Sequence, residues 1–329
     1  MRRVLFVVTI FVLIAGVQVL PAQDWKGLEN DFETLFESLG REILPHVQQA
    51  SILGDGLYDA ERENYGNLFV AITTGAVFSD GFKDNVDAGS YEVLNAPALM
   101  EDAFAELPSS VSGFYDSLFP YPVLRVAVGF GIGDAQFAAL VSGMPRQVVG
   151  GITDDVVDVG ALNIGLRGRK TLVSEVGALP ALAVGGGYTF STMGIAYGLS
   201  DFSQDAGGGG TLTVEGDLDI SSTVHTVGLD LYASKRFAIF VPFLRISPYL
   251  QRSRFLGTVD NFDATQGGNS FSDSAIADDP EAEVVSYDMA MLMATGFDIR
   301  LGNSAIFLHG NYSTGTNAFG ADLGFRLGL

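Results

Sequence analysis

Charged residues of both signs recur at alternate positions of segments whose pattern predicts β-strands. Successive strand side chains point to opposite faces, so these charges share a face with small and polar neighbours, and apolar residues take the other face. If the strands close into a barrel across a membrane, the charged face lines the lumen, because an Arg facing lipid at the midplane costs about 2–4 kcal/mol. The lumen-facing candidates are Arg125, Arg167, Arg169, Asp230, Asp288, Asp298, Arg300, Asp322 and Arg326.

Two kinds of chemistry fit a lumen lined by charges of both signs. In an open barrel, the charges form a constriction whose transverse field selects polar solutes. In a narrow barrel, the same charges pair with one another and fill the lumen. The sequence leaves both interpretations open.

Histidine is the residue through which an embedded hydrolase would act, because such a site needs a His beside a nucleophile or a carboxylate. The chain has three, His46, His225 and His309. Ser222 and Thr223 lie close to His225 in sequence, but adjacent strand residues point to opposite faces and form no triad. We therefore expect ordinary histidines at the barrel rim, no catalytic residues and no enzyme, and keep a membrane-embedded hydrolase as the remote alternative.

Neither a metal nor a nucleotide site is predicted. Glu215, Asp217 and Asp219 share one strand face, but calcium needs six to eight oxygens on a loop that sets their geometry, and no such spacing appears. The glycine run at 129–133 lies inside a predicted strand instead of between a strand and a helix, so it does not cradle phosphate. The absence of cysteine excludes disulfides and thiolate metal sites. We expect no cofactor.

The charge balance limits the partners. The precursor carries 18 Lys and Arg against 39 Asp and Glu, a net charge of −21. Such a surface repels nucleic acid, so no nucleic-acid partner is expected, whereas cations or basic ligands are attracted.

The first 22 residues have the pattern of a secretory signal peptide. Arg2 and Arg3 precede an apolar run at 4–17, and small residues near Ala22 offer a cleavage site. We predict that the signal is cleaved and the mature chain exported. Without a cysteine at the cleavage site, the new N-terminus cannot carry lipid.

Alternation of apolar and polar residues continues through most of the mature chain. Residues 285–301 alternate for 17 positions, longer than the 9–11 residues that a tilted strand needs to cross a bilayer. We predict a mostly β fold, an antiparallel transmembrane β-barrel of about 12 strands, within a range of 10–14. The predicted strands are 67–78, 123–132, 135–142, 159–169, 181–192, 194–200, 211–220, 224–234, 237–251, 285–301, 304–313 and 317–329.

Two segments have helical spacing instead. Residues 24–49 repeat apolar positions every three or four residues until Gly40 and Pro45 interrupt the pattern. The predicted organisation is a signal peptide at 1–22, an N-terminal helical segment at 23–60 that plugs the lumen or packs at the periplasmic rim, and a barrel at 61–329 with a helical insertion at about 91–120.

Two other features belong to the predicted barrel. Residues 255–283 form a long acidic loop on the extracellular side, because bacterial barrels join their strands by short periplasmic turns and longer outside loops. Tyrosines near predicted strand ends form aromatic girdles at the membrane interfaces. These are Tyr121, Tyr188, Tyr232, Tyr249, Tyr287 and Tyr312.

The end of the chain resembles the C-terminal signal of bacterial outer-membrane barrels. Phe319, Leu323, Phe325 and Leu327 share one face with the final Leu329, where that signal usually ends in an aromatic residue. The resemblance implies insertion into outer-membrane lipid by the barrel-assembly machinery, which reads the last strand.

The middle of the chain, roughly 157–249, resembles an uncharacterised family of exported barrel proteins. The residues that carry this resemblance are Gly165-Leu166-Arg167, Leu179-Pro180, Gly187-Tyr188-Thr189 and Tyr232-Ala233-Ser234-Lys235. The function of that family is unassigned, so the resemblance implies fold and location alone.

From these patterns we expect a bacterial outer-membrane protein that forms a passive or gated channel for small polar or cationic solutes. The alternative is a closed barrel with a structural or surface-binding role and no transport. The sequence does not identify a solute or an extracellular ligand.

Overall fold

A computed structural model describes ten parts of the chain. They are residues 25–52, 57, 60, 68–79, 89–90, 119–144, 158–205, 211–266, 269–270 and 281–329. The predicted signal peptide and residues 91–118 of the predicted helical insertion lie outside the described residues, while residues 119 and 120 begin a strand.

Ten long strands and one helix make up the described structure. Most strands show the predicted alternation, with every second side chain buried. The helix is α1 (Trp25–Ile52), and the strands are β1 (Leu68–Ser79), β2 (Phe119–Ile132), β3 (Ala135–Met144), β4 (Asp158–Val173), β5 (Ala181–Asp205), β6 (Thr211–Ser234), β7 (Phe240–Gln266), β8 (Glu281–Leu301), β9 (Ser304–Ser313) and β10 (Phe319–Gly328). A two-residue segment, Asn269–Ser270, pairs with the end of β7.

The sheet closes on itself. Each long strand pairs antiparallel with the next one in the chain, and β1 pairs with β10 through Ile72 opposite Phe325 and Ala71 opposite Arg326. The result is a closed antiparallel barrel of ten strands. Closure leaves no free edge in the ring, so the backbone groups of its strands pair within the sheet.

The prediction of about 12 strands was wrong because two long strands were each divided in two. Residues 181–192 and 194–200 belong to β5, where Gly194 keeps its place in the ladder opposite Ser221. Residues 211–220 and 224–234 likewise belong to β6. The small and polar residues at which these strands were divided are typical of turns. In the structure they lie within β5 and β6, where each strand continues past the part with an apolar outer face.

The predicted acidic loop at 255–283 was also placed wrongly. Strand β7 continues through this region to Gln266, and the side chain of Phe255 is fully buried on its inner face. The connection between β7 and β8 is therefore confined to residues 267–280.

The two ends of the barrel differ. At one end, here called the short-turn end, the connections are residues 133–134, 174–180, 235–239 and 302–303. At the opposite end, the long-loop end, strands are connected by residues 80–118, 145–157 and 267–280 and by two shorter segments, 206–210 and 314–318. Strands β5 to β8 have 25, 24, 27 and 21 residues against 10 to 16 for the others, so they project at the long-loop end as a tall wall.

The outer surface is apolar along the shorter strands and the lower part of the tall wall. On β2, the exposed side chains Leu124, Val126, Val128 and Phe130 alternate with buried ones that face inward. An apolar exterior around a polar interior inverts the arrangement of a soluble barrel and is typical of barrels in lipid.

The tyrosine prediction was wrong at two positions. Tyr188, Tyr287 and Tyr312 are exposed, whereas Tyr232 and Tyr249 are buried on the inner face. Their place in the alternation of β6 and β7 turns these two rings into the lumen. The side chain of Tyr121 lies outside the described residues.

Helix α1 runs inside the ring of strands. It contacts β1, β2, β5, β6, β7 and β8, and from His46 to Ile52 every side chain is buried. The predicted interruption at Gly40 and Pro45 was wrong, because α1 continues through both. Gly40 packs so closely on the ring of Phe255 that an added Cβ would lie 2.9 Å from it. No helix among the described residues is long and apolar enough to cross a membrane.

The path of the N-terminal segment is fixed by its contacts. Phe36 lies against Gly257 in the tall wall, and Ile52 packs on Tyr249 and Leu292. Further along, the backbone N–H of Ala60 donates to Ser234 Oγ at the last residue of β6, 2.9 Å away. The chain therefore descends through the lumen from the long-loop end to the short-turn end, where β1 begins.

Glycines on the inner face lie opposite large side chains. Gly324 pairs across strands with Phe307, and Gly129 pairs with Phe69. A Cβ added to either glycine would lie 2.1 Å from the facing ring. A small lumen accommodates such rings because the residue across the strand has no side chain.

Replacing Gly324 by Ala should lower the free energy of unfolding by about 1–3 kcal/mol, since overpacking displaces the Phe307 ring. Urea titration of the folded barrel in lipid vesicles, followed by its heat-modifiable gel migration, measures this change. Gly310→Ala is the matched control, because the nearest atom to its added Cβ is 4.0 Å away. Equal midpoints for the two variants would contradict the packing argument.

Candidate functional site

The structure brings the nine charged candidates to the inner face of the barrel. Eight have buried side chains, and Asp288 is partly buried. Arg167 and Asp230 belong to an ion cluster beneath the end of α1, and Asp298, Asp322 and Arg326 to a second cluster toward β10. Arg125, Arg169 and Asp288 bind groups at the C-terminal half of α1 or just after it, and Arg300 is buried on the inner face of β8.

The first cluster is centred on Asp230. Arg245 donates to Asp230 Oδ1 from Nε at 3.0 Å and from NH2 at 2.7 Å, and Arg167 NH1 donates to Oδ2 at 3.2 Å. Ser247 also donates its hydroxyl to Oδ1. One carboxylate that is 1% exposed thus accepts hydrogen bonds from two guanidinium groups.

An aromatic ring lies beside the arginines of this cluster. The guanidinium carbons of Arg169 and Arg245 lie 5.5 and 5.6 Å from the ring centroid of Tyr232. The ring face attracts both cations, an interaction that strengthens when the groups leave water. Arg169 also donates to the backbone carbonyl of Leu57 at 3.1 Å, so the chain after α1 is bound to the same group of charges.

The second cluster is centred on His309. Its Nε2 lies 3.2 Å from Asp298 Oδ1 and its Nδ1 lies 3.1 Å from Asp322 Oδ1, while Arg326 NH2 donates to Asp298 Oδ2 at 2.7 Å. The imidazole stacks on Phe307 with 4.7 Å between centroids. Both imidazole nitrogens therefore face carboxylates, which is the geometry of an ion network and not of a nucleophile with its base.

Sequence reasoning missed two members of these clusters. Arg245 was overlooked because Pro242 and Pro248 predict a bulge or bend in the strand at 237–251. That prediction was wrong, since β7 pairs with β8 in unbroken register through both prolines, and Arg245 alternates with exposed Leu244. His309 was expected at a rim but is 2% exposed inside the barrel. The exposed side chains Ile306 and Leu308 give the alternation that turns His309 inward.

The other two histidines lie apart from this cluster. His46 is buried in α1, and His225 is on the outer face of β6, where Tyr188 Oη lies 2.8 Å from its Nδ1. The described residues contain no group of three His, Asp or Glu side chains arranged to hold a metal ion. The acids Asp217 and Asp219 are exposed on the outer face of β6.

The C-terminal half of α1 is bound to the wall by polar contacts. Gln48 Nε2 donates to Ser253 Oγ at 2.5 Å and to Asp288 Oδ2 at 3.1 Å. Arg125 NH2 donates to the carbonyl of Ala50 at 2.7 Å. The last carbonyls of a helix have no hydrogen-bond partner within the helix, and Arg125 supplies one for Ala50. Its positive charge also interacts favourably with the negative end of the helix dipole.

Further contacts surround the last turn. Ser51 Oγ lies 2.9 Å from Thr226 Oγ1, and Gln251 Nε2 donates to the carbonyl of Gln48 at 3.1 Å. The amide of Gln49 donates to Asn311. Strands on opposite sides of the barrel are thus joined through the helix, and a small cavity remains between Ile52 and the Asp230 cluster.

Outside the spanning strands, one ion pair joins two short turns. Lys235 Nζ lies 3.0 Å from Glu175 Oε1, and the backbone N–H of Arg236 donates to Glu175 Oε2 at 2.8 Å. The Arg236 N–H, together with Lys235, lowers the pKa of the Glu175 carboxyl below its usual range. This contact holds the turn after β4 to the turn after β6.

Comparison with solved structures gives likeness in fold at low identity. The translocator domain of the autotransporter NalP from Neisseria meningitidis is 12% identical, covers 91% of this chain and 99% of its own, and has a TM-score of 0.32. The outer-membrane protease OmpT from Escherichia coli is 8% identical over 82% of this chain and 97% of its own, with a TM-score of 0.37. The CymD monoaromatic hydrocarbon channel is 6% identical over 89% and 93%, with a TM-score of 0.27.

No protein-family model and no curated protein sequence matches the chain. The resemblance of residues 157–249 to a family of exported barrel proteins is therefore not supported by a family model. The barrel architecture of this chain rests on its own strand pairing and closure.

Replacing Asp230 by Asn should lower the free energy of unfolding by about 3–5 kcal/mol, because two buried guanidinium groups lose their carboxylate. Urea titration in lipid vesicles measures the change. Asp217→Asn is the control, since this exposed carboxylate accepts one hydrogen bond from Asn261 and its removal should change stability by less than about 0.5 kcal/mol. An unchanged midpoint for Asp230→Asn would show that the buried cluster does not hold the wall together.

Proposed function

We propose that this chain is a bacterial outer-membrane barrel whose lumen is closed by its own N-terminal helix. The apolar exterior supports insertion into lipid, and the closed ring of ten strands supports a membrane-spanning barrel. The exposed apolar face of β10, with Leu323, Phe325 and Leu327, supports recognition of this strand by the barrel-assembly machinery.

The observation that carries the proposal is the place of α1 in the lumen, from Phe36 to Ile52, with Leu57 and Ala60 bound further along the inner face. Helix α1 has 28 residues and is about 42 Å long, more than the thickness of a bilayer core. Its fully buried last seven residues, His46 to Ile52, lie among the charges that would otherwise line a constriction. Arg125 binds the carbonyl of Ala50, so it is not available to a passing solute in this state.

The closed state favours a structural or surface-binding role over a passive channel. Bacterial barrels place short turns in the periplasm, so the tall wall and the N-terminal half of α1 are on the extracellular side. The wall exposes Asp217, Asp219, Asp260, Glu281 and Glu283 there. An acidic projection of this kind is suited to contact with cationic partners.

A gated channel is the second candidate, and the polarity of the helix contacts favours it. Gln48, Gln49 and Ser51 meet the wall through hydrogen bonds that water can replace. If α1 leaves, the lumen becomes a polar path lined by both ion clusters. The two candidates differ in whether α1 ever moves.

A disulfide between α1 and the tall wall distinguishes the closed barrel from the gated channel. An added Cβ at Gly257 would lie 3.1 Å from the Cβ of Phe36, close to the separation of about 3.5–4.5 Å in disulfides. The natural chain has no cysteine, so Phe36→Cys with Gly257→Cys creates one defined pair. Phe36→Cys with Leu256→Cys is the matched control, because the neighbouring residue faces outward.

We expect the wild-type chain to give no current steps in planar lipid bilayers, since α1 fills its lumen. The cross-linked Phe36→Cys/Gly257→Cys variant should also be silent, before and after reduction. Current steps that appear only after reduction would establish the gated channel. Frequent steps from the wild-type chain and from the cross-linked variant would contradict the closed barrel.

A further inference from the structure

The outer face of the barrel carries a small group of cations at one level of the tall wall. Arg252 and Arg254 are exposed on β7, and His225 lies directly opposite Arg252 on β6. The other described cations of the strands line the lumen or lie near the short-turn end. In a chain of net charge −21, this grouping calls for a specific cause.

Successive rows of side chains cross β6, β7 and β8 on this outer face. The lower row is Val227, Leu250 and Met289, which are 55%, 59% and 82% exposed. Such large apolar side chains belong in acyl chains and not in water.

The next row up is His225, Arg252 and Tyr287, in direct cross-strand register. Above it lie the rows of Arg254 with Val285 and of Leu256 with Glu283, and then the row in which Asp219 on β6 and Glu281 on β8 flank Thr258 of β7. Going up the wall, apolar side chains give way to aromatic and cationic ones and finally to acidic ones. This order marks the upper interface of the membrane, because aromatic side chains gather at the level of the lipid head groups.

Arg252 is arranged to bind a phosphate. Its guanidinium carbon lies 5.8 Å from the ring centroid of Tyr287, and within the described residues no carboxylate pairs with it. Stacking on the ring holds the guanidinium plane while its N–H edge stays available to a pair of phosphate oxygens.

The two neighbouring cations differ from Arg252 in their partners. Arg254 is paired with Glu283 at 2.7 Å, so its charge is already neutralised. His225 contacts Tyr188 through Nδ1 and packs against Phe190, with 5.1 Å between ring centroids. Its Nε2 is left for a ligand at the level of Arg252.

We propose that Arg252, together with His225 and Tyr287, holds the phosphate of a lipid head group in the extracellular leaflet. The inference rests on the proposed membrane barrel, because the lipid needs acyl chains beside the lower apolar row. The acidic rim above the site repels free anions from solution, so a phosphate anchored from below is favoured over inorganic phosphate.

The test titrates the full, detergent-folded chain with phosphatidylglycerol and counts bound lipid by native mass spectrometry. Arg252→Gln should bind about tenfold more weakly than wild type, the size expected for one charge-assisted contact. Glu283→Gln should bind several-fold more tightly, because it releases Arg254. Arg41→Gln is the control, since this exposed cation lies on α1 and pairs with Glu37.

Several results would overturn the inference. Equal binding by wild type and Arg252→Gln would exclude the site, and equal affinity for phosphatidylcholine of the same chain length would exclude an anionic lipid. Displacement of the lipid by inorganic phosphate would show a free-anion site. If these results come from protein with heat-modifiable migration, they contradict the lipid site and leave the proposed barrel unaffected. A wild-type chain without heat-modifiable migration would contradict both the barrel and the lipid site.

Discussion

Every charge that a strand turns away from lipid must find a partner inside a narrow ten-stranded lumen. That requirement explains why Asp230 binds two arginines and why His309 lies between two aspartates. Isolated charges would be costly to bury, and the paired ones tie strands to their neighbours and to strands further round the ring. The outer face of the shorter strands and of the lower tall wall is then left largely to apolar side chains.

The helix in the lumen depends on the same constraint. Its last turns offer carbonyls, amides and hydroxyls to a polar wall, while apolar side chains such as Phe36 and Ile52 pack against the same wall. Glycines give the space that the large inward side chains need, as Gly324 does for Phe307. Removing the helix would leave Arg125 and Gln251 without the carbonyls they now bind. Closure of the lumen and stability of the wall are therefore linked.

Much of the fold follows from residue alternation. The two-residue period over 285–301 and over 123–132 gives the correct facing of Arg125, Asp298 and Arg300, because lipid enforces the pattern on one side of each strand. Alternation cannot reveal where a strand ends once it leaves the membrane, and β5 and β6 were divided for that reason. It also cannot reveal partners across strands, so the bonds of Arg245 to Asp230 needed the register of β6 and β7. The depth of α1 depends on three-dimensional contacts such as Phe36 with Gly257, for which its sequence has no local signal.

The central claim is that residues of α1 lie inside the folded barrel, and reactivity toward a thiol reagent tests it most directly. Single variants Gln49→Cys and Glu37→Cys place the only thiol of the chain on the buried and the exposed part of the helix. In folded protein reconstituted in vesicles, a membrane-impermeant maleimide should modify Glu37→Cys readily and leave Gln49→Cys unmodified until the barrel is unfolded. Equal rates for the two variants in the folded barrel would contradict the account.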